Sequence, residues 1–469
     1  MKIKLIVILV FIGALSGCDD YLDINKDPNN PTTVPITGLM STVTLRTGNN
    51  IQSVGDFTSY FVQYLASPNE AGLTDTQSEV PYDGAWFDIY HLLGDVSDLE
   101  KLAADQGATH YVGVAKVVKA INLALAIDVW GDIPYTEAFF AQTLKPAYDD
   151  DEALYDEVFT LLDDAVTSLE TTENTVELGD DDFMFHGDID LWIKTAYALK
   201  ARYLNHLSKT AAYDPDAILA AISNGFASDT ENAKIDYFST DFNPWGSVAI
   251  SQAGLILDGW ISEQVVDAMN GTTFGVVDPR MPFMYSITEF GTYIGTENGA
   301  GRGSADVQDE RSVLVEGTFY ADRLSPILVI THAEQKFIEA EAYLSKNMKT
   351  EAYNAYLAGI ASHMNLIGVA PGDRDTYLAD GAVAVGSANI TLALIMKEKY
   401  VAMFLHPEAW NDARRYDYQY TDMDVPVGHN PDLGGEYIRR VIYPQSETSR
   451  NGANVPEVDL LDVIWWDQN

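Results

Sequence analysis

The chain has 469 residues, of which 70 are Asp or Glu and 28 are Lys or Arg, for a net charge of −42. A field of that sign repels nucleic acid and anionic lipid surfaces and removes both as partners. With 47% hydrophobic and 11% aromatic residues, the acidity clothes a folded body with a large core, and the lone cysteine, Cys18, excludes an intrachain disulfide scaffold.

Lys2 and Lys4 precede an apolar run from Leu5 to Leu15, which is the layout of an export signal. The run falls short of the roughly 20 residues a membrane-crossing helix needs. Its end, Leu15-Ser16-Gly17-Cys18, is similar to a bacterial lipoprotein signal. That resemblance implies removal of residues 1–17 and acylation of Cys18, so that the mature chain is tethered by lipid and does not span the membrane. Residues 18–38 carry Asp19, Asp20 and Asp23, then Pro28, Pro31 and Pro35 among asparagines, and predict an acidic tether and irregular lead-in.

Helical signals follow at Leu39 to Leu45 and, past a turn predicted at Gly48-Asn49-Asn50, in the apolar-aromatic stretch Phe57 to Leu65. Tyr82, Trp86 and Tyr90 stand four apart and would share one helical face, available for core packing or for stacking on a ligand. Val114, Val117, Val118, Ile121, Leu125 and Val129 keep helical spacing up to Trp130. Asp149-Asp150-Asp151-Glu152 suits the start of the next helix and lacks the glycine and spacing of an EF-hand loop. Further helices are predicted from Asp190 to Leu207 and after Asp214-Pro215.

Helical period is lost over residues 226–330, where glycine is frequent and aromatic residues are scattered among turn residues. Glu297 to Ser304 reads as a flexible exposed loop. Helices return from His332 to Ser345 and from Thr350 to Leu366. Their Ala340-x3-Leu344 and Ala352-x3-Tyr356 spacings fit a tetratricopeptide hairpin or a generic helical hairpin. Ile390 to Leu405 and a partner from His406 to Tyr416 complete the helices, and Trp465-Trp466 is expected to dock the irregular tail, residues 417–469, on the body.

The lipobox and acidic lead-in, Tyr82-Asp83-Gly84-Ala85-Trp86, Asp278-Pro279-Arg280-Met281-Pro282, Ala340-Glu341-Ala342-Tyr343-Leu344, Lys397-Glu398-Lys399-Tyr400 and Trp410-Asn411-Asp412-Ala413-Arg414-Arg415 together resemble the SusD/RagB family over essentially the whole mature chain. The resemblance implies a mainly α fold, a tetratricopeptide-like superhelix of helix pairs with a loop-rich, irregular ligand region. It further implies one domain over residues 39–469, with helical scaffold at 39–225 and 331–416 and a loop-rich insertion at 226–330. It implies a surface lipoprotein of the outer membrane in Bacteroidota that binds oligosaccharide or peptide, uses no cofactor, and passes its ligand to a SusC-like TonB-dependent transporter.

Sugars pack flat C–H faces on aromatic rings and bond polar neighbours through their hydroxyls. On those grounds the candidate ligand contacts are Trp86, Trp245, Tyr285 and Tyr293, with Asn243 and Arg302 as polar partners, while Arg280 between two prolines reads as a structural ion-pair former. Two other classes compete. A surface hydrolase would need a motif, and neither HExxH nor GxSxG occurs. A structural or adhesive protein would use the helix pairs to hold another protein.

Overall fold

The computed structural model describes residues 34–139, 143–252, 258–303 and 308–468. The leader, Cys18 and most of the 18–38 stretch lie outside the described residues, as does Ser304.

Helix α1 (Ile36–Phe61) begins inside the stretch expected to be lead-in and runs without a break through the expected turn. Ile36, Met40 and Val43 are buried at helical spacing, which draws the start of the helix into the core. At the expected turn, packing takes up the turn-forming residues. The Asn50 amide donates to Asn122 Oδ1 at 2.9 Å, and Asn49 accepts the Tyr237 hydroxyl at 2.8 Å. A Cβ on Gly48 would stand 2.7 Å from that hydroxyl oxygen, so glycine serves a close approach here and makes no turn.

Helices α2 (Asp83–Gln106), α3 (Thr109–Trp130), α4 (Asp151–Leu169), α5 (Ile189–His206) and α6 (Pro215–Ile222) follow, each packed on its predecessor. Helix α3 touches α1, α2, α4 and α5 and is buried almost all round, as its near-continuous apolar sequence requires. Asp150 caps α4 by accepting Ala153 N–H at 3.2 Å, and Asp214 caps α6 ahead of Pro215.

The irregular region holds short elements only: β2 (Ala233–Ile235), α7 (Pro244–Gln252), β3 (Trp260–Ile261), α8 (Glu263–Met269) and α9 (Met281–Met284). Two antiparallel ribbons pin it to the scaffold. One pairs β3 with β1 (Leu65–Ala66), just past the end of α1, and the other pairs β2 with β4 (Ile327–Ile330). The second helical half comprises α10 (His332–Ser345), α11 (Lys349–Ile367), α12 (Pro371–Ala379), α13 (Leu392–Ala402), α14 (Glu408–Arg415) and the short α15 (Gln445–Arg450). Where α10 meets α11, a Cβ on Gly359 would come 2.9 Å from the Phe337 ring, so the helices approach as closely as a tetratricopeptide hairpin demands.

The sequence motifs at Asp278, Glu341, Lys397 and Trp410 converge on one buried electrostatic spine. Arg280 holds Asp278 through Nε at 2.9 Å and also pairs with Glu398, which Lys397 approaches at 2.5 Å and the Tyr377 hydroxyl at 2.8 Å. The adjoining Lys399 spans Glu341 at 3.0 Å and Asp412 at 2.9 Å, and Arg415 bridges the same two acids. Burial works against the charges of Glu398 and Glu341, but the flanking cations outweigh it and hold both carboxyls at about 2. Arg280 is therefore the structural ion-pair former its sequence setting suggests. The tail docks as expected: Trp466 is buried and its indole N–H donates to Asp128 at 2.9 Å.

Candidate ligand cleft

Helix α1 carries Ser53, Asp56, Phe57 and Tyr60 at spacings of three and four, so they share one face near its end. That face forms one wall of a cleft of about 610 Å³. The second wall is the loop from Ser67 to Asp75 and the third is the start of α2 at Tyr82, Asp83 and Ala85, with Asp258 closing one side. Tyr82 stacks on Phe57 with centroids 3.9 Å apart and planes 15° from parallel. Leu73, 64% exposed, offers an apolar edge at the mouth.

Long-range hydrogen bonds hold this loop. Asp75 accepts Ser67 N–H at 2.9 Å, Gly299 N–H at 2.7 Å and the Asn298 amide at 2.5 Å. Ala71 donates to Gly299 O at 2.9 Å and Arg302 N–H donates to Pro68 O at 3.0 Å. From the far side, Asn430 N–H reaches Thr76 O at 3.0 Å. The segment expected to be a flexible exposed loop, from Glu297, is thus a strap wedged against the cleft, with Asn298, Gly299 and Gly301 buried. A Cβ on Gly299 would lie 1.9 Å from Val427 O, so its glycines serve contact as well as conformation. Gln63, Ala71 and Gln77 all have φ between 52° and 57°, a concentration of left-handed non-glycine backbone beside the cleft.

The cleft is acidic. Burial, and then the charge of Asp258, raise the Asp56 carboxyl to about 7. Tyr60 donates its hydroxyl to Asp258, and burial followed by that neighbour keeps the phenol protonated far above its ordinary range. A smaller acidic concavity of about 300 Å³ lies beyond the strap, bounded by residues including Gln63, Glu263, Asp267, Glu297 and Asp424, and no aromatic ring lines it.

The residues expected from sequence do not assemble into this cleft. Trp86 is 3% exposed and meets Trp130 edge-on at 5.1 Å. Trp245 is 3% exposed and faces an internal cavity of about 30 Å³, room for one water. Asn243 is fully buried and accepts Trp245 N–H at 2.8 Å, while Tyr285 is 1% exposed and stands edge-on to half-buried Tyr293 at 5.7 Å. Large rings and an amide with internal partners are core at those four positions, which corrects the expectation that Trp86, Trp245, Tyr285 and Asn243 face a ligand. Arg302, half-buried, is the member of the set tied to the cleft loop.

Phe57, Asp56, Tyr60 and Leu73 escaped sequence reading because nothing local separates a cleft face of α1 from a core face. Tyr82 was visible, with core packing and ligand stacking both open to it, but not its placement: α2 starts at Asp83, so Tyr82 leaves the Trp86–Tyr90 stripe and turns onto Phe57.

Two groups of potential metal ligands come together among the described residues. In the first, His206 lies between the Tyr155 hydroxyl at 2.7 Å and Glu408 at 2.6 Å, while Asp128 accepts from Tyr155 and Trp466, so its members already hydrogen-bond one another and their neighbours. In the second, Asp132 accepts Asp151 N–H at 3.0 Å, Asp151 accepts Trp465 N–H at 2.8 Å and Asp150 caps α4. Both sets serve the fold.

A family profile, SusD-like, described as starch-binding and associating with the outer membrane, matches residues 28–444. No curated protein matches the chain. Among solved structures, a SusD/RagB family protein from Bacteroides thetaiotaomicron is similar at 21% identity and TM-score 0.75, over 93% of this chain and 99% of its own. A chitin-binding SusD homolog from Flavobacterium johnsoniae is similar at 20% identity and TM-score 0.77, over 92% and 99%. A SusD homolog from Bacteroides uniformis is similar at 22% identity and TM-score 0.76, over 92% and 98%.

Proposed function

The chain belongs to the SusD-like family, and from that membership we propose that it is a cell-surface lipoprotein that captures an oligosaccharide in the α1–α2 cleft and passes it, uncut, to a SusC-like TonB-dependent transporter. The observation that carries this reading is the half-buried Tyr82 ring, backed by buried Phe57, in an open cleft lined by carboxylates, the pairing of apolar face and hydroxyl acceptors that a sugar ring needs. Cys18, at the end of the apolar leader, supplies the attachment point, and no described helix is long and apolar enough to cross a membrane. Of the residues singled out in the sequence, Arg302 bears on the cleft through its backbone, whose N–H bonds Pro68 O of the cleft loop.

One observation favours a hydrolase instead. A carboxyl raised to about 7 beside a second carboxyl resembles a glycosidase acid and its partner. Asp258, however, is engaged by the Tyr60 hydroxyl and by Gly259 N–H at 3.0 Å, a brace that holds it in the wall.

Affinity electrophoresis against a panel of polysaccharides tests capture. At least one should retard the protein, and Tyr82→Ala should weaken that binding about tenfold, or roughly 1.4 kcal/mol. Mass spectrometry of the incubated oligosaccharide should return it intact; shortened products would make the protein a hydrolase. Cys18→Ala should move the protein out of the membrane fraction, and persistent attachment would contradict the anchor.

A further inference from the structure

Four side chains lining the cleft are carboxylates, Asp56, Asp75, Asp83 and Asp258, and none of the lining residues is Lys, Arg or His. Three of the four are engaged within the protein. Asp75 takes three N–H donors, Asp83 accepts Ser446 N–H at 3.2 Å, and Asp258 takes the Tyr60 hydroxyl and Gly259 N–H. Asp56 accepts no hydrogen bond from any described residue, although it projects from α1 into the cleft wall and feels the charge of Asp258. A half-buried carboxylate with a like charge beside it and no donor from the protein is less favourable there than an amide would be. A sugar hydroxyl would satisfy one lone pair and leave the repulsion in place. A cation would relieve both.

We propose that the cleft selects oligosaccharides bearing free amino groups, with one ammonium seated between Asp56 and Asp258. This rests on the glycan-capture reading above and adds the charge class of the ligand. Tyr82, backed by Phe57, sets the sugar face, and the carboxylates distinguish an amino sugar from its acetylated counterpart.

Calorimetry on the full chain at neutral pH, with glucosamine hexasaccharide and N-acetylglucosamine hexasaccharide as probes, tests it, since the two differ at every ring by one charge. The amino hexamer should bind about tenfold tighter or more, and Asp56→Asn should remove most of that difference. Asp105→Asn, an exposed acid at the far end of α2, should leave it intact. Melting curves of both variants establish that they are folded. Equal loss in the two variants would reduce the effect to diffuse attraction by a body of net charge −42 and overturn the proposal. So would a lysine-rich peptide that outcompetes the amino hexamer, or calcium alone binding with the same dependence on Asp56. Equal or tighter binding of the acetylated hexamer would also overturn it while leaving glycan capture standing. Failure of both hexamers and of every neutral glycan would remove capture itself.

Discussion

Asp56 shares the cleft wall with Asp258, Tyr60 and Tyr82, and its carboxyl is raised from 3.8 to about 7, first by burial and then by the charge of Asp258. The folded state therefore favours the protonated form. Stability should be greatest below the unfolded value, fall as pH rises from 3.8 through about 7, and carry the full cost above that. Asp56→Asn removes the charge, so its gain in Tm over the parent should be larger at about pH 8 than at about pH 5. A gain of the same size at both would show that the carboxylate pays no ionisation cost in this site. Tyr60 and Tyr82 do not join that titration, because burial pushes both phenols well above their ordinary range.

At the level of elements, the cleft depends on a strap and a loop that hold each other. Gly299 has φ +78° and its place for a Cβ is occupied by Val427 O, so Gly299→Ala must shift the strap and loosen the Asp75 hydrogen bonds. The expected outcome is faster amide exchange in residues 67–77 with little change in α3, and weaker glycan binding in step. Unchanged exchange there would mean that the strap does not support the loop. The same elements mark where sequence reading stops. Helices with a strong apolar period, such as α3 and α4, were legible with their caps, because the 3.6-residue repeat is a local signal. Gly48-Asn49-Asn50 and Glu297-Asn298-Gly299 were misread as turn and loose loop, because glycine and asparagine also serve close approach and long-range hydrogen bonds. Those partners, Tyr237, Asn122 and Val427, lie far away in the chain.

Over the whole molecule, four of the motifs that carried the family resemblance build the scaffold, while Tyr82-Asp83-Gly84-Ala85-Trp86 forms part of the cleft wall. Asp278, Arg280, Glu341, Lys397, Glu398, Lys399, Asp412 and Arg415 neutralise one another in the core and tie the irregular region to α10, α13 and α14. Fold and family were legible for that reason, and the proposed ligand cleft was not, since it is assembled from an α1 face, a loop and the start of α2 that only the folded chain brings together. A body of net charge −42 also sets its own context: its surface carries excess acid, and the cleft combines that acid with the half-buried Tyr82 ring and an open volume. A crystal structure of the protein with a bound oligosaccharide decides whether the α1–α2 cleft is where the ligand sits. A sugar ring should lie against Tyr82 between Asp56 and Leu73. A saccharide seated instead beyond the strap near Gln63 and Asp424, or against Tyr293, with the α1–α2 cleft holding only solvent, would contradict the account.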